Sequence, residues 1–133
     1  MEQRDYLMRY LEHFSESLAK VLGLMKTGRY DDGLKYVEQL YDTYFEDHKA
    51  IFFETPEEEM LGSLTAHSLK LEELHFAAEL LYYEGELWMK KGEILKAKIG
   101  YKRALKLMEY LHSVDTVYNL DRAFKIEKVK SYL

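Results

Sequence analysis

The sequence predicts an all-α fold, and three observations lead to this prediction. Apolar residues recur at spacings of three and four over most of the chain, which is the period of helices with one buried face. The 133 residues include one proline and seven glycines, a composition that leaves room for long uninterrupted helices. The alternation of apolar and polar residues that half-buried strands require is absent from the sequence.

The first two helices are predicted from capping residues and from the apolar periodicity. Asp5 can cap a helix that runs to about Lys26, where Thr27-Gly28 is expected to close it. The apolar seam of this helix consists of Leu7, Leu11, Phe14, Leu18, Val21 and Met25. Asp31 or Asp32 is then expected to cap a second helix.

The middle of the chain begins with its least regular stretch, His48–Thr55, which a clear helix start follows. In Thr55-Pro56-Glu57-Glu58 we expect a capping hydroxyl, a proline at the first helical position and a glutamate at the third. This short helix is expected to end near Gly62-Ser63. A long helix is then expected from around Ser68 to Lys91.

Two more helices are predicted toward the C-terminus. One is expected from about Glu93 to His112, and Asp115 or Thr116 is expected to open the last helix. The apolar side of that last helix is expected to consist of Val117, Leu120, Phe124 and Val129. Mainly lysine and glutamate lie on the opposite side, so the helix is predicted to be an amphipathic cap.

The segment Ala78–Leu111 has the residue spacing of one tetratricopeptide (TPR) repeat, which is a pair of antiparallel helices. The residues that carry this resemblance are Gly85 and Trp88 in the first helix, Gly92 in the turn, and Ala97, Tyr101 and Ala104 in the second helix. Gly85 and Ala97 let the two helices approach closely, while Trp88 and Tyr101 fill the space above and below the contact. TPR repeats are interaction scaffolds, so the resemblance implies a binding protein without catalytic activity.

The resemblance implies a single domain of residues 1–133, built as a short right-handed solenoid of about five to six helices. Residues 14–47 match the same register as a degenerate repeat, and residues 48–77 form an irregular insertion with a linking helix. Residues 113–133 form the capping helix. The chain as a whole resembles a family of small, uncharacterised bacterial TPR-like proteins through Asp5–Arg9, Leu18–Gly23 and Ala78–Leu107.

In TPR proteins the first helix of each repeat lines a binding groove. Carried onto this chain, the groove positions include Leu18, Leu22, Met25, Glu79, Tyr82, Tyr83, Glu86, Met89 and Lys90. The Lys, Asn and Arg pattern that clamps a peptide carboxylate is missing, and the groove is largely apolar and aromatic. Three occupants remain open: the last helix of the chain, a second copy of the chain, and an external peptide or helix.

Composition and charge narrow the class of partner. A net charge of −5 argues against nucleic acid and anionic membranes as partners, and the absence of cysteine fits a reducing compartment. No apolar run is long enough for a signal peptide or a membrane span. We therefore expect a cytoplasmic protein that binds a protein or peptide and uses no cofactor.

Acidic and basic residues are concentrated in two different segments. The acids of the first segment are Asp42, Glu46, Asp47, Glu54, Glu57, Glu58 and Glu59. The bases of the second segment are Lys90, Lys91, Lys96, Lys98, Lys102, Arg103 and Lys106. These segments are either solvated helix faces or surfaces that steer self-association or dock an acidic partner, and we expect a homodimer.

An alternative from another class is a di-metal enzyme. Glu72-x-x-His75 and Glu109-x-x-His112 have the spacing that di-iron and di-manganese helical bundles use, because residues three apart share a helix face. The bridging carboxylates would then come from Glu12, Glu16 or Glu38. The two pairs occupy non-equivalent positions in the repeat register, so we expect no metal site and no catalytic residues.

Overall fold

The computed structural model describes residues 2–133, with side chains from residue 4 onward. This part of the chain forms seven α-helices and no strand. The helices are α1 (Glu2–Lys26), α2 (Tyr30–Tyr44), α3 (Lys49–Phe53), α4 (Glu57–Ala66), α5 (Leu71–Lys90), α6 (Ile94–Val114) and α7 (Leu120–Tyr132). A short 3-10 helix, Glu46–His48, precedes α3. The all-α prediction is confirmed, whereas the count of five to six helices was slightly low.

The N-terminal helices begin earlier than the capping residues predicted. Helix α1 already includes Glu2, so Asp5 lies inside the helix and does not cap it. Helix α2 has Arg29 at its N-cap, and Asp31 and Asp32 lie in its first turn, where carboxylates favour the helix dipole. The expected end of α1 at Lys26 is correct.

The start of α4 also differs from the prediction. Pro56 takes the N-cap position with φ −54° and ψ 145°, and the helix begins one residue later. Thr55 does not cap it; instead its carbonyl oxygen accepts a hydrogen bond from the Arg103 guanidinium at 2.9 Å. The helix continues past Gly62 to Ala66.

The last helix begins later and buries a different face than the sequence suggested. Asn119 caps α7, and its side-chain oxygen accepts a hydrogen bond from the backbone N–H of Arg122 at 2.9 Å. Asp115 instead ends α6 and pairs with the Arg122 guanidinium at 2.5 Å. The buried residues of α7 are Arg122, Lys125, Ile126 and Val129. Of the four predicted core residues, only Val129 is buried, because Val117, Leu120 and Phe124 are 77, 74 and 68% exposed.

Five long helices pack side by side with alternating direction, in the order α1, α2, α5, α6, α7. Helix α2 runs antiparallel to α1, since Tyr44 contacts Tyr10 and Tyr36 lies beneath Lys20. It is also antiparallel to α5, against which Gly33 packs tightly. Helix α7 closes the row by packing on α6.

The insertion α3–α4 joins this row through aromatic and polar contacts. The Phe52 ring of α3 lies 5.3 Å from Phe45, which in turn lies 5.9 Å from Phe76 of α5. Phe45, Phe52 and Phe76 are all at most 1% exposed. Helix α4 packs on α6, where Met60 contacts Arg103. The irregular part of the sequence is therefore part of the core.

Helices α5 and α6 meet more closely than any other pair described. A Cβ atom added to Gly85 would lie 2.8 Å from the Tyr101 ring and 3.2 Å from the Ala97 carbonyl oxygen. A Cβ atom on Gly100 would lie 3.1 Å from the carbonyl oxygen of Leu81 and 3.2 Å from the backbone nitrogen of Gly85. The crossing thus depends on two small residues, of which Gly100 was not identified from the sequence.

The remaining repeat-packing candidates lie at the turn and inside this helix pair. Gly92 has φ +78° in the turn, a conformation that glycine adopts without strain. Ala104 is fully buried, whereas Trp88 is half-buried near the turn, with Lys96 4.5 Å from its ring centre. None of the helices in residues 2–133 is long and apolar enough to cross a bilayer.

Candidate functional site

The α5 part of the predicted groove lies under the last helix of the chain. Glu79, Tyr82 and Glu86 are 5, 4 and 8% exposed, respectively. Two lysines of α7 reach them: Lys125 Nζ lies 2.6 Å from Glu79 Oε2, and Lys128 Nζ lies 3.0 Å from Glu86 Oε1. The later lysine of α7 pairs with the later glutamate of α5, so α7 runs parallel to α5.

Lys125 is the centre of this contact. Its ammonium group also pairs with Asp121 at 2.9 Å and lies 5.2 and 5.0 Å from the ring centres of Tyr82 and Tyr83. Burial by itself lowers the pKa of Lys125, but the Glu79 carboxylate raises it above its ordinary value. The lysine is therefore charged at neutral pH and is held by two carboxylates and two aromatic faces.

Burial and Glu86 together also raise the pKa of Tyr82 well above its ordinary range. Tyr83 is half-buried beside Tyr82, with ring centres 5.1 Å apart. The structure thus brings Tyr82, Tyr83 and Glu86 together beneath α7. These three residues face the interior of the molecule.

The other groove candidates lie at the margins of this contact. Leu18, Leu22 and Met25 are half-buried on α1, and Leu18 and Met25 pack against the core. On α5, Met89 is half-buried and Lys90 is exposed in the last turn. These five residues do not take part in the ion pairs that hold α7.

The residues of the di-metal alternative are engaged elsewhere. The His75 ring stacks on Phe14 at 5.2 Å, and burial lowers the pKa of His75. His112 contacts Tyr118 edge-to-face at 5.3 Å, and Glu109 lies 4.0 Å from Lys130. Among the side chains that the structure describes, residues 4–133, no three His, Asp or Glu are grouped so that they could hold a metal ion. The Glu-x-x-His pairs are therefore not assembled into one site.

Of the acidic residues that the sequence groups together, Asp42 pairs with Lys49 at 2.7 Å, and the other six have no ionic partner among the described side chains. We call Glu46, Asp47, Glu54, Glu57, Glu58 and Glu59 the acidic segment. Within the described part of the chain none of these six carboxylates forms an ion pair. Five of the six are exposed, and Glu57 is half-buried.

The basic part of the chain forms a stripe along α6. We call Leu95, Lys98, Ile99, Lys102 and Lys106 the basic stripe, because residues spaced by three and four share one helix face. Its three lysines form no ion pair with the side chains described. Leu95 and Ile99 are 80 and 59% exposed, a feature that the sequence analysis missed. Helix α4, which carries Glu57, Glu58 and Glu59, packs on α6, the helix that carries the stripe.

Comparisons of the sequence with models of protein families, with curated proteins and with solved structures find no match. The function is therefore argued from the geometry described above. That geometry has two main elements: a helix α7 held over α5 by buried ion pairs, and an acidic segment whose helix α4 packs on the helix of the basic stripe.

Proposed function

We propose that this protein is a non-catalytic, TPR-like interaction module that associates with a second copy of itself. Its own last helix occupies the α5 part of the groove, so the association uses surfaces outside that groove. The observation that carries the proposal is that α4 of the acidic segment packs on α6 with its basic stripe, while neither surface has an ionic partner among the side chains described.

The helix order supports a TPR-like arrangement. Helices α1 and α2 form one pair and α5 and α6 a second, while α1 and α2 each contact α5. Helix α7, antiparallel to α6 and parallel to α5, lies where the first helix of a third repeat would follow. An end of a short solenoid has to be covered, and α7 covers this one.

The two charged surfaces are complementary to each other. A two-fold axis near their boundary would place the acidic segment of one copy opposite the basic stripe of the other, and it would do so twice. Such an arrangement pairs unlike charges without any change in the chain and steers the encounter of the two copies.

Exposed apolar residues accompany the basic stripe. Leu95 and Ile99 lie within it and are 80 and 59% exposed. Apolar contacts surrounded by charges are typical of protein interfaces, in which the rim is polar. Exposed ion pairs contribute little free energy of association in water, and burial of these apolar side chains would add to it.

The test is a charge reversal on each surface, followed by mixing. We expect K102E/K106E and E54K/E58K each to be monomeric, because each carries like charges on both surfaces. Mixed in equal amounts, the two variants are expected to form a heterodimer, measured as the native mass by light scattering. Circular dichroism checks that both variants fold.

The matched control is E12K/E16K, which makes the same charge change as E54K/E58K but on exposed residues of α1. This variant is expected to associate as the unmodified chain does. If K102E/K106E associates normally, or if mixing the two reversed variants restores nothing, the proposed interface is wrong.

A further inference from the structure

A second candidate site lies on the other side of α5, in a cleft between α2 and α5 beside α3. The volume of this cleft is about 650 Å³, which is within the range of small-molecule sites. Its lining residues are Asp31, Leu34, Lys35, Glu38, Tyr41, Lys49, Phe53, Glu84, Trp88 and Lys91. None of these belongs to the predicted groove or to the contact with α7.

The cleft contains a carboxylate without a counter-ion among the described side chains. Tyr41 is 1% exposed, and its buried hydroxyl lies beside the Glu84 carboxylate, toward which it can donate a hydrogen bond. Glu84 is half-buried and forms no ion pair with a described side chain. Buried charges are nearly always paired in folded proteins, so a half-buried carboxylate without a counter-ion points to a ligand.

The charges of the rim leave the carboxylate available. Lys91 pairs with Asp31 at 2.5 Å, and Lys49 pairs with Asp42 at 2.7 Å. These pairs neutralise two of the three lysines that line the cleft, whereas Lys35 forms no ion pair with a described side chain. Glu84 is the half-buried carboxylate of the cleft, and it favours a hydrogen-bond donor with positive charge.

The walls of the cleft are apolar and aromatic. Leu34, Phe53 and Trp88 line it, and Lys91 and Lys96 already lie over the Trp88 ring at 5.2 and 4.5 Å. A ligand cation is therefore not expected on Trp88, because two ammonium groups are already there. A flat apolar ring can contact these walls while a cationic group reaches the carboxylate.

We propose that this cleft binds a small aromatic amine, with its ammonium group on the Glu84 carboxylate and its ring against Phe53 and Trp88. The ammonium group donates a hydrogen bond to the carboxylate, which the Tyr41 hydroxyl contacts from the buried side. Binding occurs within one chain and does not depend on the association of two copies.

The site responds to pH through the carboxylate. The pKa of Glu84 is raised to about 7, because burial and the Glu38 charge raise it more than the Tyr41 hydroxyl and the Arg103 charge lower it. The other charged groups around the cleft are Asp31, Lys35, Lys49 and Lys91. If the ammonium group binds only the ionised form, its affinity rises about tenfold between pH 6 and pH 8, in proportion to the ionised fraction.

The experiment uses the fluorescence of Trp88, which is the one tryptophan in the chain and lines the cleft. The full-length chain is titrated with 2-phenylethylamine, with the neutral 2-phenylethanol and with the anionic phenylacetate. We expect the amine to bind at least tenfold more tightly than either, with the stated dependence on pH.

Two variants locate the contact. E84Q is expected to bind the amine about as weakly as the alcohol and to lose the dependence on pH. Y41F removes the hydroxyl that lowers the pKa of Glu84, so it is expected to reduce the ionised fraction of the carboxylate at pH 7 and to bind the amine several-fold more weakly. The control variant E127Q, on the exposed side of α7, is expected to bind normally.

The proposal is overturned if none of the three probes binds at millimolar concentration. It is equally overturned if phenylacetate binds best, since the lysines of the rim would then select the ligand, or if E84Q and Y41F leave the amine affinity unchanged. A monomeric chain that still binds the amine would separate this site from the proposed self-association.

Discussion

Lys125 of α7 lies 2.6 Å from Glu79 of α5, and the two side chains are only 10 and 7% exposed. The two residues are 46 positions apart in the sequence. Their contact holds the last helix over the face of α5 that the repeat pattern assigns to a binding groove. A buried ion pair of this kind contributes modest net stability but makes the loss of either partner costly, because the other charge is then left unpaired.

The first prediction concerns this pair. K125M leaves the Glu79 carboxylate buried without its partner, so we expect a loss of about 3–5 kcal/mol in the free energy of unfolding. The double variant K125M/E79M removes both charges and is expected to lie close to the unmodified chain. Urea denaturation followed by circular dichroism measures both values. If K125M/E79M loses at least as much free energy of unfolding as K125M, the two side chains are not coupled and the prediction is wrong.

The second prediction concerns the crossing of α5 and α6. G100A would bring a Cβ atom to 3.1 Å from the backbone oxygen of Leu81, which cannot rotate away. We expect a loss of about 1–3 kcal/mol, as for other overpacked cores. The control is G62A on α4, where a Cβ atom meets nothing within 4 Å, and we expect it to gain about 0.5–1 kcal/mol. Equal effects of the two variants on the midpoint of urea unfolding would be inconsistent with the close crossing.

The third prediction concerns the two faces of α7. I126A removes buried side-chain atoms and is expected to cost about 2–5 kcal/mol, whereas L120A and F124A, on exposed residues, are expected to change stability by less than about 0.5 kcal/mol. Thermal unfolding of the three variants under one set of conditions provides the comparison. A large loss of stability in L120A and F124A would mean that these residues are buried, as the sequence suggested.

The fourth prediction follows from Glu84. Burial raises the pKa of this carboxyl from its ordinary 4.5 to about 7 in the folded state. The folded chain therefore binds more protons than the unfolded chain between these values. The contribution of Glu84 to stability is present below pH 4.5 and is lost as the pH rises through 7.

E84Q stays neutral at every pH, so its stability relative to the unmodified chain should increase between pH 5 and pH 8. We expect a relative gain of about 2–3 kcal/mol, measured by urea denaturation at both values. E127Q is the control because Glu127 is exposed and should show no such gain. A stability difference that does not vary with pH would mean that Glu84 is ionised throughout.

Much of the fold could be predicted from the sequence because helix formation depends mainly on residues that are close together in the chain. The spacing of apolar residues predicted the long helices, and the end of α1 at Lys26 follows from the Thr27-Gly28 signal. Helix starts were less predictable. Asp5, Asp31 and Thr55 are all residues that favour caps, but the chain begins these helices at other residues.

The face of α7 could not be predicted because it depends on a distant residue. Lys125 reads as a solvent-exposed position in the sequence, and it is buried because Glu79 lies opposite. Leu120 and Phe124 were predicted to be core residues because they are apolar and share one side of the helix. Pairing between remote positions leaves no periodic signal in a single sequence.

The same limit applies to the cleft between α2 and α5. Tyr41 and Glu84 are separated by more than 40 residues and meet only because α2 packs along α5. The basic stripe, in contrast, is visible in the sequence as lysines spaced by four, but the exposure of Leu95 and Ile99 beside them requires the packing of α6.

The most direct test of the proposed self-association is the native mass of the unmodified chain, measured by light scattering over a dilution series at low and high salt. The account predicts a dimer at low salt that dissociates as added salt shortens the screening length from roughly 30 Å at 0.01 M to about 3 Å at 1 M. A chain that stays monomeric at every concentration in low salt would contradict it.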